Sequence, residues 1–165
     1  MQFPDATDAE VKRAQLPHNL FVSGLFLFDL LLTPAIIALK IGMVGLFIPL
    51  LLSSALIAFI YLRSKKPTTW FVDIHWKLSF ARAKWLLMGY AVSAALILVA
   101  WLISISSSDH NMQHILWTAL TRIALMPTLI LVLITAVLEA SSIPMAAQRK
   151  VPDRLAAEFP PSVQP

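Results

Sequence analysis

The stretch that decides the fold runs from residue 20 to residue 39 and reads LFVSGLFLFDLLLTPAIIAL. It has a single charged side chain, Asp29, near its centre. Twenty helical residues at about 1.5 Å each cover roughly 30 Å, which is the thickness of the hydrocarbon core of a bilayer. The stretch is therefore predicted to be a membrane-spanning helix.

The composition of the whole chain is also that of a membrane protein. Of its 165 residues, 58% are hydrophobic and only 13% are charged, whereas about 25% of the residues in a soluble domain are charged. A chain this short cannot bury so much apolar surface in a core of its own. We therefore expect an all-α integral membrane protein in which lipid covers the remaining apolar surface.

Three further apolar stretches predict a bundle of four antiparallel transmembrane helices, at residues 20–39, 44–62, 85–105 and 115–138. This transmembrane domain covers residues 19–140, with His18 and Asn19 predicted to cap its first helix. Residues 1–18 are predicted to form a polar N-terminal tail and residues 141–165 a proline-containing C-terminal tail. Inside the spans, a kink is expected at each proline, because proline removes a backbone donor: Pro34, Pro49 and Pro127.

The loop between the second and third spans combines basic and aromatic side chains. Its residues 69–84 predict an amphipathic helix at the membrane interface, where tryptophan is favoured and long basic side chains reach the headgroups. The residues expected to contact lipid headgroups or a partner are Arg63, Lys65, Lys66, Trp70, Trp76, Lys77, Arg82 and Lys84.

The distribution of positive charge predicts the orientation. Of the 13 lysines and arginines, all but two lie in the tails or the central loop, on one side of a four-span chain. The exceptions are Lys40, in the short connection between the first two spans, and Arg122, inside the fourth span. By the positive-inside rule both termini face the cytoplasm, as expected of a multi-pass protein of the inner (cytoplasmic) membrane. The net charge of +4 thus reflects topology, and we expect no nucleic-acid partner.

Asp29 and Arg122 are the charged residues predicted to lie within spans. Each costs several kcal/mol in hydrocarbon unless it is paired or solvated, and their predicted depths differ by less than about 10 Å. They are therefore predicted to form an intramembrane polar pair. Three interpretations remain open: a proton or ion path, a quinone-headgroup site, and a buried pair that fixes helix register within the bundle or against another subunit.

The four histidines were considered as metal or haem ligands. His110 and His114 are four residues apart, so one helix face could present both to a divalent metal, but two such ligands make a weak site. His18 and His75 are expected on the opposite side of the membrane, so no pair matches in depth as a transmembrane haem requires. Because the chain also lacks cysteine, we expect no metal and no cofactor.

No catalytic signature is present in the sequence, and we expect no catalytic activity. The first hypothesis is a structural or accessory subunit of a larger inner-membrane protein complex, with other membrane subunits as partners. The second is a small proton- or ion-conducting protein or carrier, homo-oligomeric, that uses Asp29 and Arg122. The third is a redox membrane subunit that binds quinone, with His18 or His75 contacting the headgroup.

Overall fold

The computed structural model of the chain describes residues 1–39, 41 and 43–160, and these form helices without a β-strand. In chain order the elements are α1 (Asp8–Gly24), a π-helical segment (Leu25–Leu32), α2 (Thr33–Ala38), α3 (Met43–Ser64), α4 (Trp70–Ile105), α5 (His110–Ala124), α6 (Met126–Ala147) and α7 (Asp153–Glu158). Lys40 and Gly42 of the predicted connection, and residues 161–165 of the predicted tail, lie outside the described residues.

Four helical stretches are long and apolar enough to cross a membrane: Asp8–Ala38, Val44–Ser64, Trp70–Ile105 and His110–Ala147. The all-helical class and the four predicted membrane helices are therefore confirmed. Each stretch is longer than the span predicted for it, because the helices continue beyond the apolar residues.

The chain divides into two compact units. The first consists of Met1–Ala83 and the chain from Ala136 onward, and the second is Lys84–Thr135. In the second unit α4 packs on α6 at Gly89, where an added Cβ would lie 3.0 Å from Leu131. The Thr128 hydroxyl donates a hydrogen bond to Ser93 Oγ at 2.8 Å in the same contact. Small residues thus let these two helices approach closely.

The first membrane helix begins earlier than predicted. Thr7, rather than His18 or Asn19, is its N-cap, and it forms a reciprocal capping box with Glu10. The Glu10 N–H donates to Thr7 Oγ1 at 3.3 Å, while the Thr7 N–H donates to Glu10 Oε2 at 2.8 Å. Much of the predicted polar tail is consequently helical, and His18 lies well inside α1.

A π-helical segment follows α1 and contains Asp29. At its end the Thr33 N–H donates to Phe28 O, five residues back, and the Thr33 hydroxyl donates to the same carbonyl at 2.9 Å. The next residue, Pro34, has no N–H to donate. This hydrogen bond reaches back five residues instead of the four of an α-helix, so the backbone is wider here. Asp29 therefore lies on a locally irregular stretch of helix just before the proline.

The predicted interfacial helix and the predicted third span form one helix, α4, of 36 residues. The sequence has no proline between Trp70 and Ile105, so nothing interrupts the backbone where the composition changes from polar to apolar. The N-terminal turns of α4 are packed inside the first unit, where Phe71, Val72 and Ile74 are buried. This part of α4 therefore has a protein environment, which a helix lying on a lipid surface lacks.

The predicted fourth span is made by two helices. α5 ends at Ala124, and α6 begins at Met126, after Leu125. Pro127 is the second residue of α6, where a missing N–H costs little because the first N–H groups of a helix have no partner within it. α6 then continues through Pro144 to Ala147, beyond the predicted end at residue 138.

The two terminal segments fold against the first unit. Gln2 forms an isolated antiparallel bridge with Lys150, and the Phe3 N–H donates to Arg149 O at 2.8 Å. A small apolar core joins the two ends of the chain to α1 and α4: Ala14, Phe71, Ile74, Ala146, Val151 and Ala156. The described parts of both predicted tails are thus packed rather than extended.

Candidate functional site

A cluster of ionisable side chains lies inside the first unit, where α1, α4 and α6 meet. His18 from α1, His75 from α4 and Glu139 from α6 are all 0% exposed. His18 Nδ1 lies 2.6 Å from Glu139 Oε2, and His18 Nε2 lies 3.0 Å from His75 Nδ1. The three residues therefore form a continuous hydrogen-bonded chain, which we call the His–Glu network.

The donor in each hydrogen bond depends on the tautomer of the two rings. With Glu139 ionised, its oxygens only accept, so the His18 Nδ1–H donates the hydrogen bond to Oε2. The second hydrogen bond, between His18 Nε2 and His75 Nδ1, then holds a single proton. The two rings meet edge to face, with centroids 5.2 Å apart. This geometry holds the His18 ring in one orientation.

Arg82 supplies positive charge on the other side of the carboxylate. Its Nη1 lies 3.5 Å from Glu139 Oε1, donates to Ser142 Oγ at 2.6 Å and also donates to Leu138 O. The guanidinium group is thus fixed to the last turns of α6. Glu139 sits between His18 and Arg82, so its negative charge is offset from two directions.

The network leaves some polar atoms unsatisfied. Among the described residues, four buried side-chain atoms have no hydrogen-bond partner: His75 Nε2, Ser79 Oγ, Glu139 Oε1 and Arg149 Nε. The backbone of Lys150 lies beside His75. Ser79 is one turn from both His75 and Arg82, on the face of α4 that carries the network. Buried polar atoms of this kind are normally satisfied by internal water.

The predicted intramembrane pair is divided between the two units. Asp29 lies in the π-helical segment of the first unit, is half-buried, and accepts a hydrogen bond from Ser53 Oγ at 3.2 Å. Arg122 lies in α5 of the second unit and is exposed. Pairing between Asp29 and Arg122 stays a prediction.

Two residues predicted to contact headgroups or a partner are inside the first unit instead. Trp76 is only 2% exposed and packs against the ring of Phe59, with centroids 6.0 Å apart. Arg82 belongs to the His–Glu network. Trp76 is thus buried and Arg82 partly buried, because residues 70–84 belong to the continuous helix α4, which packs inside the first unit.

The rest of that predicted contact set is partly or fully exposed. Trp70 donates from its indole N–H to Phe159 O at 2.8 Å, and the Lys77 ammonium group lies 3.9 Å from the Phe159 ring centroid. Arg63 lies over Trp76, 5.3 Å from its ring centroid. The fully exposed members are Lys65, Lys66 and Lys84.

The histidines divide into two kinds. For His18 and His75 the sequence predicts a position on the side of the membrane opposite His110 and His114, with quinone contact as one hypothesis, and both rings are buried and bonded to protein groups. A quinone headgroup thus has no open access to either ring in this conformation. His110 and His114 are exposed on α5, and within the described residues no three His, Asp or Glu side chains converge as a metal site.

Sequence reasoning missed the His–Glu network because its members are distant along the chain. His18 is 121 residues from Glu139 and 57 from His75. One signal was available, since Glu139 is the sole acidic residue between positions 110 and 150 and stands at the end of an apolar stretch. The predicted span stopped one residue before it.

Comparison of the chain with protein-family models, with curated proteins and with solved structures finds no match. Its function is therefore argued from the geometry of the molecule.

Proposed function

We propose that this chain is a non-catalytic accessory subunit of a larger membrane-protein complex. The observation that carries the proposal is the enclosure of the His–Glu network, whose members His18, His75 and Glu139 have no solvent-exposed surface. A catalytic or substrate-binding group has to be reached by its substrate, whereas these side chains are engaged with one another. Such an arrangement fixes the packing of three helices, which is a structural task.

The folded termini support a docking role on the basic side of the protein. The bridge between Gln2 and Lys150 holds the two terminal segments together, so the backbone that carries the charged side chains around them is ordered. An ordered surface loses less conformational entropy on binding than a flexible tail does. The exposed basic residues of the first unit include Lys12, Arg13, Lys65, Lys66, Lys150 and Arg154.

The proposed orientation has both termini in the cytoplasm and four antiparallel spans in the inner membrane. The distribution of lysine and arginine along the sequence supports it. The exposed lysines Lys65, Lys66 and Lys84 would then lie on the cytoplasmic side, where anionic headgroups attract basic side chains.

The test is extraction of the native membranes in mild detergent, followed by native-gel separation and mass spectrometry of the proteins that migrate with this chain. A defined set of other membrane subunits in constant ratio supports the proposal. Migration as a monomer or as a homo-oligomer overturns it.

One observation supports a conducting protein as the second candidate. Asp29 is a carboxylate in a π-helical segment within a membrane helix, and π-helical turns are frequent at functional sites. For this candidate, proteoliposomes containing the purified chain should show proton or cation flux that Asp29→Asn abolishes and Ser53→Ala reduces. Equal flux from wild type, Asp29→Asn and empty liposomes rejects it.

A further inference from the structure

α5 carries a polar side chain at every fourth position: His110, His114, Thr118 and Arg122. Residues four apart on a helix are neighbours on one face, so these side chains form a continuous strip, which we call the α5 stripe. His110, His114 and Arg122 are exposed, and Thr118 is half-exposed. The stripe thus faces the surroundings of the protein rather than its interior.

In the proposed topology the stripe runs into the membrane. α5 and α6 together make the candidate span His110–Ala147. Arg122 lies seven residues beyond Ile115, where the apolar part of the span begins, and seven residues correspond to roughly 10 Å along a helix. A charged side chain at this depth costs several kcal/mol unless it has a polar partner.

The second unit provides no counter-ion for Arg122. Its single carboxylate is Asp109, which caps α5 by accepting the Asn111 N–H at 2.9 Å. Asp109 is thirteen residues from Arg122, or about 20 Å along the helix. Among residues 84–135, all of which the structure describes, Arg122 therefore makes no ion pair.

We propose that the α5 stripe is the docking face for a transmembrane helix of another subunit, and that this helix carries a carboxylate level with Arg122. The inference rests on the proposed function as an accessory subunit and identifies the surface involved. Charge complementarity selects a carboxylate, because the planar guanidinium group and a carboxylate form two parallel hydrogen bonds. A protein partner also provides polar contacts to Thr118 and His114, whereas lipid would satisfy Arg122 only at the headgroups.

The experiment introduces Arg122→Leu into the tagged chain and repeats the extraction, native gel and mass spectrometry. We expect the partner that contacts α5 to be lost by roughly tenfold or more, in line with the strength of close interfacial charge pairs. Arg122→Lys keeps the charge but not the planar fork, so it should retain an intermediate amount. Ile123→Ala, a quarter-turn from Arg122 on the exposed surface, is the matched control and should retain the wild-type amount.

Folding is checked separately, since each variant must elute as a single species with the thermal midpoint of the wild type. Once the partner is known, exchanging its intramembrane carboxylate for lysine should restore binding to Arg122→Glu. That rescue is the strongest support, because a general packing defect would not be repaired by a second charge reversal.

Three outcomes overturn the proposal. Full retention of every partner by Arg122→Leu would mean that Arg122 reaches lipid headgroups, while the accessory function stands. Equal losses from Asp29→Leu, Arg122→Leu and the double variant would mean that Asp29 of the same chain is the counter-ion. Loss of a homodimer, with no other subunit present, would mean that the stripe binds a second copy and would overturn the proposed function too.

Discussion

The His–Glu network of the first unit and the α5 stripe of the second use similar residues in opposite ways. In the network, Glu139 lies between two basic partners and is fully buried. In the stripe, Arg122 is exposed and has no carboxylate within its own unit. Ionisable groups in the first region therefore stabilise the chain itself, whereas those in the second require a group from elsewhere.

The two regions therefore differ in the free-energy cost of their charged groups. A buried pair costs little as long as both partners are present, but removing one leaves an uncompensated charge. An exposed charge without a partner already has that cost in the isolated chain, so removing it should not destabilise the protein. Substitutions in the two regions should consequently differ strongly in their effect on stability.

Glu139→Leu should have the largest effect. It removes the carboxylate that His18 and Arg82 share, and breaking a buried ion pair costs about 3–5 kcal/mol. The free energy of unfolding in mixed micelles would measure the loss. Glu158→Leu replaces an exposed carboxylate on α7 and should change stability by less than about 0.5 kcal/mol. A similar loss from both variants would mean that the network adds nothing beyond an ordinary surface charge.

A double substitution sharpens the same comparison. If His18 and Glu139 stabilise the protein through their 2.6 Å contact, His18→Leu combined with Glu139→Leu should cost less than the sum of the two single losses. Coupling energies for residues in contact are about 0.5–3 kcal/mol. Additive losses in the unfolding measurement would show that the two residues contribute independently.

The network was not predictable from the sequence, although much of the fold was. Membrane thickness fixes how many apolar residues a span needs, so the four helices follow from the chain alone. The pairing of His18, His75 and Glu139 depends on which helix faces meet, and no local pattern records that. The continuity of α4 was missed for a different reason, because a change from polar to apolar composition at Lys84 does not require a break in the backbone.

Thr7→Ala should destabilise the first unit by about 1 kcal/mol, the usual cost of losing a helix N-cap. It removes the hydroxyl that accepts the Glu10 N–H. Ser108→Ala, in the exposed loop before α5, is a suitable control because Ser108 precedes the cap residue Asp109 and does not act as the cap. Equal unfolding free energies for wild type and Thr7→Ala would show that tertiary packing, not the cap, holds the start of α1.

Arg149→Gly should be more stable than Arg149→Ala by about 1 kcal/mol. Arg149 has a φ of 55°, in the left-handed region, where a side chain with a Cβ is disfavoured and glycine is not. Both variants lose the 3.0 Å contact from Arg149 to Asp8. The difference in stability between them therefore measures the cost of placing a Cβ at this backbone conformation. Equal thermal midpoints for the two would contradict this explanation.

Arg122→Leu should be the mildest of these substitutions for the isolated chain, because it should not destabilise the protein and should tend to stabilise it. The reason is that the second unit offers Arg122 no ion pair to lose. The unfolding free energy of the purified chain in detergent is the measurement. A loss of unfolding free energy comparable with that of Glu139→Leu would contradict this difference between the two regions. It would indicate that Arg122 has a counter-ion within the chain.

The order of residues in the His–Glu network also sets when it can form during biosynthesis. His18 and Glu139 are separated by 121 residues, and at 5–20 residues per second a ribosome needs roughly 6–24 s to make that much chain. His18 and His75 are therefore present well before the carboxylate that joins them to α6. A chain truncated before Glu139 therefore has His18 and Arg82 in place without the carboxylate that joins them.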